Sequence, residues 1–207
     1  MAPDLLRALI DRAAATIAAH AEELTELDQA IGDGDHGLNM KRGFDAIAQN
    51  ADEICALPFG QALQKAGMTL VMTVGGASGP LYGSLLMGLG KAAAKAPETV
   101  EELVAIVAEG VAMVQKRGKS EAGEKTMLDV LIPVLEAIRT ADGDIAAAAR
   151  AAADAGLAAT RDMRATKGRA SFLGERSIGH LDPGARSSAL LVHAVCDAVE
   201  NGSGGEA

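Results

Sequence analysis

Residues 66–90 read AGMTLVMTVGGASGPLYGSLLMGLG, and this uncharged stretch decides the fold class. It is long enough to cross a lipid bilayer as a single helix. Its middle, Gly75 to Pro80, is rich in glycine and includes a proline, and irregular backbone of this kind would leave polar groups unsatisfied in lipid. Apolar residues at helical spacing flank the middle on both sides. We therefore expect two buried helices joined by a glycine-rich loop, in a protein of the cytoplasm.

Helical periodicity continues on both sides of this stretch, and Thr99 and Glu102 are spaced as a capping box. No segment alternates with the period of two that a strand requires, and no Pro/Ser-rich linker divides the chain. The pattern predicts an all-α fold in which residues 1–207 form one domain of about eight helices, with residues 201–207 as a frayed tail. The predicted helices cover about 5–17, 39–49, 59–74, 81–89, 100–114, 127–138, 144–164 and 185–200.

Composition excludes several classes of protein. The formal charge is −9 and aromatic residues make up 2% of the chain, so the surface lacks the basic patches and stacking platforms of nucleic-acid binders. We expect neither a nucleic-acid nor a membrane partner. The two cysteines, Cys55 and Cys196, are too few and too far apart to predict a disulfide framework. The first helix carries acidic residues and lacks the basic start of a secretory signal peptide, which also favours the cytoplasm.

An acidic segment follows the first predicted helix. Residues 28–39 read DQAIGDGDHGLN, in which Asp28, Asp33 and Asp35 are interspersed with glycines that allow a tight path. Crowded carboxylates repel each other unless a cation lies between them, and Mg²⁺ prefers such oxygen ligands. An EF-hand is disfavoured because its twelfth position, counted from Asp33, is Phe44. The segment is either a divalent-metal site or a solvated Asp/Gly turn.

Two further segments interrupt the helices. Residues 75–80 could present backbone N–H groups to a phosphate, or could simply connect two helices. Residues 167–184 contain Lys167, Arg169 and Arg176, which could bind phosphate or remain solvated. The lysine motifs around residues 119 and 125 do not fit the Walker A pattern, which excludes a P-loop nucleoside triphosphatase.

Taken together in this order, the segments resemble one family, the nucleotide-binding L subunits of dihydroxyacetone kinases. The resemblance covers nearly the whole chain and is weakest between about residues 140 and 160. It is carried by LTELD at 24–28, IGDGDHGLNM at 31–40, RGF at 42–44, MTL at 68–70, VGGASGP at 74–80, RGK at 117–119, GEKTMLDV at 123–130 and the run from Lys167 to Gly184.

The resemblance implies an antiparallel eight-helix barrel with a nucleotide at one end. Asp28, Asp33 and Asp35 would hold two Mg²⁺ ions and, with Arg169, form the catalytic set. The implied nucleotide-binding residues are His36, Gly37, Leu38, Asn39, Ala77, Ser78, Gly118, Met127, Arg169, Asp182, Pro183 and Gly184.

The resemblance also implies partners. The chain would bind ADP, accept phosphate from the phosphocarrier (M) subunit of a phosphotransferase system, and pass it to dihydroxyacetone on a separate K subunit. The first alternative is the same architecture using exchangeable ATP, with dihydroxyacetone or a related ketose as acceptor. The second is a non-catalytic nucleotide sensor that regulates a partner protein. A phosphoenolpyruvate-dependent kinase subunit is the favoured reading among these three.

Overall fold

The structure, a computed structural model, describes residues 2–203. Within this range the chain is helical and no residue lies in a β-strand, so the predicted all-α class is confirmed. The α-helices are α1 (Ala2–Ala19), α2 (Ala21–Ile31), α3 (His36–Gln49), α4 (Ala51–Cys55), α5 (Phe59–Thr73), α6 (Ser78–Ala92), α7 (Val100–Gly118), α8 (Leu128–Thr140), α9 (Ile145–Ala159) and α10 (Pro183–Ser203), with a 3₁₀ segment at Arg169–Ser177.

The larger helices pack against one another in a closed cycle. In cyclic order the neighbours are α1, α3, α5, α6, α7, α8, α9 and α10, and α10 packs back against α1. This order is compatible with the expected eight-helix barrel. Its interior is filled by aliphatic side chains such as Ile17, Leu24, Met40, Leu70 and Leu128, each 1% exposed or less. Burial of this apolar surface is the main stabilising contribution to the cycle.

Helix α2 corrects the sequence-based expectation, which placed residues 28–39 in a loop. Asp28 lies in the last turn of α2, α3 begins at His36, and only residues 32–35 connect the two helices. The buried face of α2 consists of Ala21, Leu24, Asp28 and Ile31. The spacing of these residues is helical, but a carboxylate interrupts the apolar stripe and acidic residues surround it, which is why the pattern did not predict a helix.

The N-cap that the capping-box spacing of Thr99 and Glu102 predicts is confirmed. The Thr99 side chain accepts a hydrogen bond from the Glu102 N–H at 3.2 Å, and Asp144 accepts one from the Ala147 N–H at 2.9 Å, so both act as N-caps. Both cysteines are unpaired thiols. Among residues 2–203, no helix combines the length and apolarity that crossing a membrane would require. Helix α10 continues through Ser203, and the rest of the predicted frayed tail lies outside the described residues.

Candidate functional site

A cleft of about 510 Å³ opens at one end of the helical cycle. Helices α3, α6, α8 and α10 begin at this cleft, while α2 and α7 end there. The first N–H groups of a helix have no partner within the helix and carry a partial positive charge. Four helix starts around one cleft therefore create a local environment suited to an anion, inside a chain whose net charge is −9.

Asp28, Asp33 and Asp35 come together in this cleft. One carboxylate oxygen from each lies within 4.8 Å of the others. Asp28 is buried, and its Oδ2 accepts hydrogen bonds from the N–H groups of Asp35 at 2.9 Å and His36 at 3.1 Å. Asp28 thus caps α3 from the end of α2. A Cβ at Gly32 would lie 2.0 Å from Asp28 Oδ1, so glycine is required beside this carboxylate.

The three carboxylates fit a divalent cation. Asp33 and Asp35 are exposed to the cleft, and hard cations such as Mg²⁺ prefer clustered carboxylate oxygens. Arg169, on the 3₁₀ segment, approaches from the other side, with its Nη2 2.9 Å from Asp33 Oδ2. Carboxylates suited to binding a metal ion and a guanidinium suited to binding an anion thus face each other in the same cleft.

The glycine-rich loop forms a second wall. Gly75, Gly76, Ala77 and Ser78 line the cleft. Gly76 has a φ of +65° and open space around its Cα, which keeps this part of the loop free of side-chain bulk. A Cβ at Gly79 would lie 2.4 Å from the carbonyl oxygen of Val74, so the close approach of α5 and α6 needs a glycine there. The loop thereby directs the start of α6 towards the cleft.

His36 connects three of the helix starts. Its Nδ1 lies 3.0 Å from Ser78 Oγ at the start of α6, and its Nε2 lies 2.9 Å from Ser187 Oγ on α10. Burial lowers the pKa of His36, although the nearby carboxylates of Asp28 and Asp35 oppose that effect. The Tyr82 hydroxyl, 2.7 Å from Ser187 Oγ, extends this buried network, and burial raises the Tyr82 pKa. A neutral His36 thus holds α3, α6 and α10 together behind the cleft.

Asp182, Pro183 and Gly184 form the cleft wall at the start of α10. Asp182 Oδ2 accepts a hydrogen bond from the Ala185 N–H at 2.7 Å, so Asp182 is the N-cap and Pro183 is the first helical residue. Burial raises the pKa of Asp182 to about 7, and the neighbouring Asp129 adds to the increase. These three residues therefore form the start of a helix.

The structure brings most of the sequence-predicted site residues together and places three elsewhere. Gly37 packs against α2, where a Cβ would lie 1.9 Å from the carbonyl oxygen of Ala21. The Leu38 side chain is 60% exposed. Asn39 is buried beside Gly75, behind the loop, and its Oδ1 accepts a hydrogen bond from Arg42 at 3.0 Å. The sequence-predicted site residues that line the cleft are Asp28, Asp33, Asp35, His36, Ala77, Ser78, Gly118, Met127, Arg169, Asp182, Pro183 and Gly184.

Sequence reasoning missed Lys125 and Asp129. Asp129 accepts hydrogen bonds from the N–H groups of Gly123, at 2.5 Å, and Thr126, at 2.7 Å, and so shapes the loop before α8. Lys125 also lines the cleft, but it is almost completely buried. Burial lowers the pKa of Lys125, and the nearby Asp182 opposes that effect. The only signal for either residue was the GEKTMLDV motif at 123–130, which contributes to the family resemblance but assigns no role to Lys125 or Asp129.

The chain is similar to several known proteins. A protein-family model described as the DAK2 domain matches residues 30–197. A Listeria innocua protein described as "PEP-dependent dihydroxyacetone kinase 1, ADP-binding subunit DhaL" is 50% identical over 174 residues, which cover 83% of this chain and 84% of that protein. A Lactococcus lactis protein described as "PTS-dependent dihydroxyacetone kinase, ADP-binding subunit DhaL" is 42% identical over 176 residues, covering 85% of this chain and 87% of that protein.

A solved structure is also similar. The dihydroxyacetone kinase from C. freundii, crystallised in complex with AMP-PNP and Mg²⁺, superposes with a TM-score of 0.72 and 26% sequence identity. The match covers 93% of this chain and 33% of that chain. This chain therefore spans about a third of the length of the C. freundii kinase.

Proposed function

Since the chain belongs to the DAK2 domain family, we propose that it is the nucleotide-binding subunit of a two-component dihydroxyacetone kinase. In this role it carries a phosphoryl group on ADP and transfers it to dihydroxyacetone held by a separate K subunit. One observation carries the proposal: three carboxylates within 4.8 Å of one another face Arg169 in a cleft surrounded by helix N-termini. This combination suits a metal-bound polyphosphate.

Asp28, Asp33 and Asp35 are the proposed metal ligands, for two Mg²⁺ ions. When bound, these ions would supply the positive charge that neutralises β- and γ-phosphate oxygens during phosphoryl transfer. Asp28 is held in place by two backbone N–H groups, so its second oxygen is oriented before any metal binds. That pre-organisation is a property of the chain itself.

The remaining cleft residues position and neutralise the phosphates. Arg169 offers a planar fork of donors, and it pairs with Asp33 in the structure. The N–H groups at the start of α6 and the Ser78 hydroxyl, which His36 holds from behind, provide fixed dipoles on the opposite side. Phosphoryl transfer depends mainly on such positioning and charge neutralisation, so no covalent intermediate on a side chain of this chain is needed.

The proposed phosphate donor is a phosphotransferase-system phosphocarrier, the M subunit. The names of the L. innocua and L. lactis relatives, which are PEP-dependent and PTS-dependent kinase subunits, support this choice. Both relatives are matched over more than four fifths of their length. ADP would then be rephosphorylated in place and would behave as a prosthetic group.

Exchangeable ATP is the second candidate. The C. freundii structure contains AMP-PNP, an ATP analogue, together with Mg²⁺, in a chain three times as long as the matched part. In that case nucleotide would leave after every turnover, and dihydroxyacetone or a related ketose could be the acceptor. A non-catalytic nucleotide sensor is the third candidate.

Nucleotide exchange during turnover distinguishes these candidates. The purified chain, loaded with labelled ADP, is desalted and incubated with the K subunit, dihydroxyacetone and either a phosphorylated phosphocarrier or ATP. We expect about one ADP per chain after desalting, turnover with the phosphocarrier, and label that stays on the protein. Rapid loss of label with turnover sustained by ATP alone would support the second candidate. Bound nucleotide without turnover in either arm would support the sensor.

A further inference from the structure

Lys125 carries a buried positive charge for which the phosphoryl-transfer chemistry above has no use. Its side chain is 1% exposed. The Nζ donates hydrogen bonds to four main-chain carbonyl oxygens, those of Thr160 at 2.8 Å, Met163 at 3.1 Å, Ser177 at 2.7 Å and His180 at 2.6 Å. An ammonium has three protons, so four carbonyls surround it much as they would surround a monovalent cation. The burial of such a charge is costly unless bonds of this kind compensate.

The four carbonyls belong to one part of the chain. They lie 35 to 55 residues after Lys125 in sequence. Thr160 and Met163 precede the 3₁₀ segment that carries Arg169, whereas Ser177 is its last residue and His180 follows it. A single ammonium therefore links the backbone on both sides of the segment to Lys125. Lys125 directly precedes Thr126 and Met127, which line the cleft.

The backbone of Lys125 supports a specific role. Its φ is +61°, a left-handed conformation that is unfavourable for a residue with a side chain. The surrounding structure must hold this conformation in place. It directs the side chain into the cage of carbonyls, while residues 126 and 127 continue along the cleft.

We propose that Lys125 is a positioning residue, which fastens residues 160–180 so that Arg169 faces Asp33 and the phosphates. The proposal rests on the proposed nucleotide-binding function, since the effect of Lys125 is exerted through Arg169. A purely structural lysine would contribute to stability and would have no specific link to Arg169. The two roles therefore differ in what happens once Arg169 is removed.

The first test needs no nucleotide. In Lys125→Met, we expect the backbone amides of residues 164–179 to exchange hydrogen at least tenfold faster than in the wild type, with the amides of α3 and α6 unchanged. Lys91→Met is the matched control, because Lys91 pairs with Glu109 at the surface, and it should leave the exchange pattern intact. Unchanged exchange in residues 164–179 of a folded Lys125→Met protein would overturn the proposal.

The second test measures the Kd of Mg·ADP in a double-mutant cycle. Lys125→Met should weaken binding at least tenfold in the wild-type background and no more than threefold in the Arg169→Ala background. If Lys125→Met lowered the affinity for Mg·ADP equally in both backgrounds, Lys125 would have only a general structural role, and the proposal would be overturned. Failure of the wild type itself to bind Mg·ADP would instead reject the proposed function, and the exchange experiment would still decide whether Lys125 fastens the segment.

A third test adds an amine to a variant in which the four carbonyl oxygens have lost their ammonium partner. Lys125→Ala lacks the part of the side chain that propylammonium replaces, so this ion should restore Mg·ADP binding at least fivefold. Lys125→Met fills the same space with an uncharged chain and should not respond. If Lys125→Met does not fold, as judged by far-UV circular dichroism, Lys125→Gln takes its place in both tests. Absence of rescue in folded Lys125→Ala would count against a requirement for the cation.

Discussion

The three clustered carboxylates are not equivalent as residues. Asp28 is buried and accepts two backbone hydrogen bonds, so its replacement would disturb the start of α3 as well as any metal site. Asp33 is exposed to the cleft, caps no helix and pairs with Arg169. Asp33 is therefore the position at which metal binding can be tested with the least effect on the fold.

Asp33→Asn should abolish Mg²⁺-dependent retention of ADP while leaving the helix content unchanged. The substitution removes one negative charge from the cluster but keeps the size of the side chain, and the residue contributes nothing to the core. Nucleotide content after desalting and far-UV circular dichroism are the two measurements. Asp154→Asn is a suitable control, because Asp154 pairs with His193 outside the cleft. ADP content equal to the wild type in Asp33→Asn would argue against this metal assignment.

Asp182 should make the protein less stable as the pH rises. Burial raises its pKa from 3.8 to about 7, so the folded state binds this proton more tightly than the unfolded chain does. The stabilisation is complete below pH 3.8 and is lost as the pH rises through 7. Asp182→Asn keeps an oxygen for the Ala185 N–H but cannot ionise.

Urea denaturation at pH 5 and pH 8 would measure this effect. Between these values the free energy of unfolding of the wild type should fall by about 3 kcal/mol more than that of Asp182→Asn. Parallel pH dependence of the two proteins would contradict the assignment of the titration to Asp182.

At the scale of elements, the site consists of helix N-termini and of the loops and capping residues that orient them. Asp28 caps α3 across a tight connection, Gly79 lets α6 approach α5, Asp129 shapes the loop before α8, and Asp182 caps α10. Each of these four interactions is local, but all of them lie at the same end of the molecule. A defect in one of them should therefore displace one wall of the cleft and leave the helical cycle intact.

Gly79→Ala should weaken Mg·ADP binding at least tenfold. Its Cβ would lie 2.4 Å from the carbonyl oxygen of Val74, so the backbone at the start of α6 must move. Gly143→Ala is the comparison: Gly143 has a φ of +111° and open surroundings, so a cost of roughly 1 kcal/mol in stability is expected without loss of affinity. Calorimetric titration and urea denaturation would measure both effects. Retained affinity in Gly79→Ala would show that the glycine loop does not set the α6 position that binding requires.

At the scale of the whole molecule, ligand binding and folding should be coupled. The proposed ligand contacts several helix starts at once, and these persist only in the folded chain. With Mg·ADP at a free concentration of about 100 times its Kd, the stabilisation is about 2.7 kcal/mol, which corresponds to a rise in Tm of roughly 5–10 °C for a chain of this size. Thermal melts with and without EDTA would measure it. Equal melting temperatures would count against an integral metal–nucleotide site.

The sequence predicted the elements that obey a simple pattern and missed those that depend on distant contacts. Helices with uninterrupted apolar stripes, such as α7, were predicted within a few residues, whereas α2 was missed because Asp28 occupies a buried position of its stripe. Lys125 was missed because lysine is ordinarily solvated and its four partners are far away in the chain. Successive helical residues point about 100° apart, which explains why His36 reaches the cleft while Leu38 is exposed. The assignment of Gly37, Leu38 and Asn39 to nucleotide binding stays a prediction.

The convergence of four helix starts within an acidic molecule has a consequence for the kinetics of ligand capture. A net charge of −9 repels a nucleotide at long range. Dissolved salt screens this repulsion, with a screening length of about 10 Å at 0.1 M. The partial charges of helix ends act only over the first turn and are felt after the nucleotide has entered the cleft. Salt should therefore speed the arrival of free ADP and barely change its departure, so that the dissociation constant decreases at moderate ionic strength. Stopped-flow measurements of the association rate between 20 and 200 mM salt would test this prediction. An association rate that falls with added salt would mean that the positive electrostatic field of the cleft extends far into the solvent.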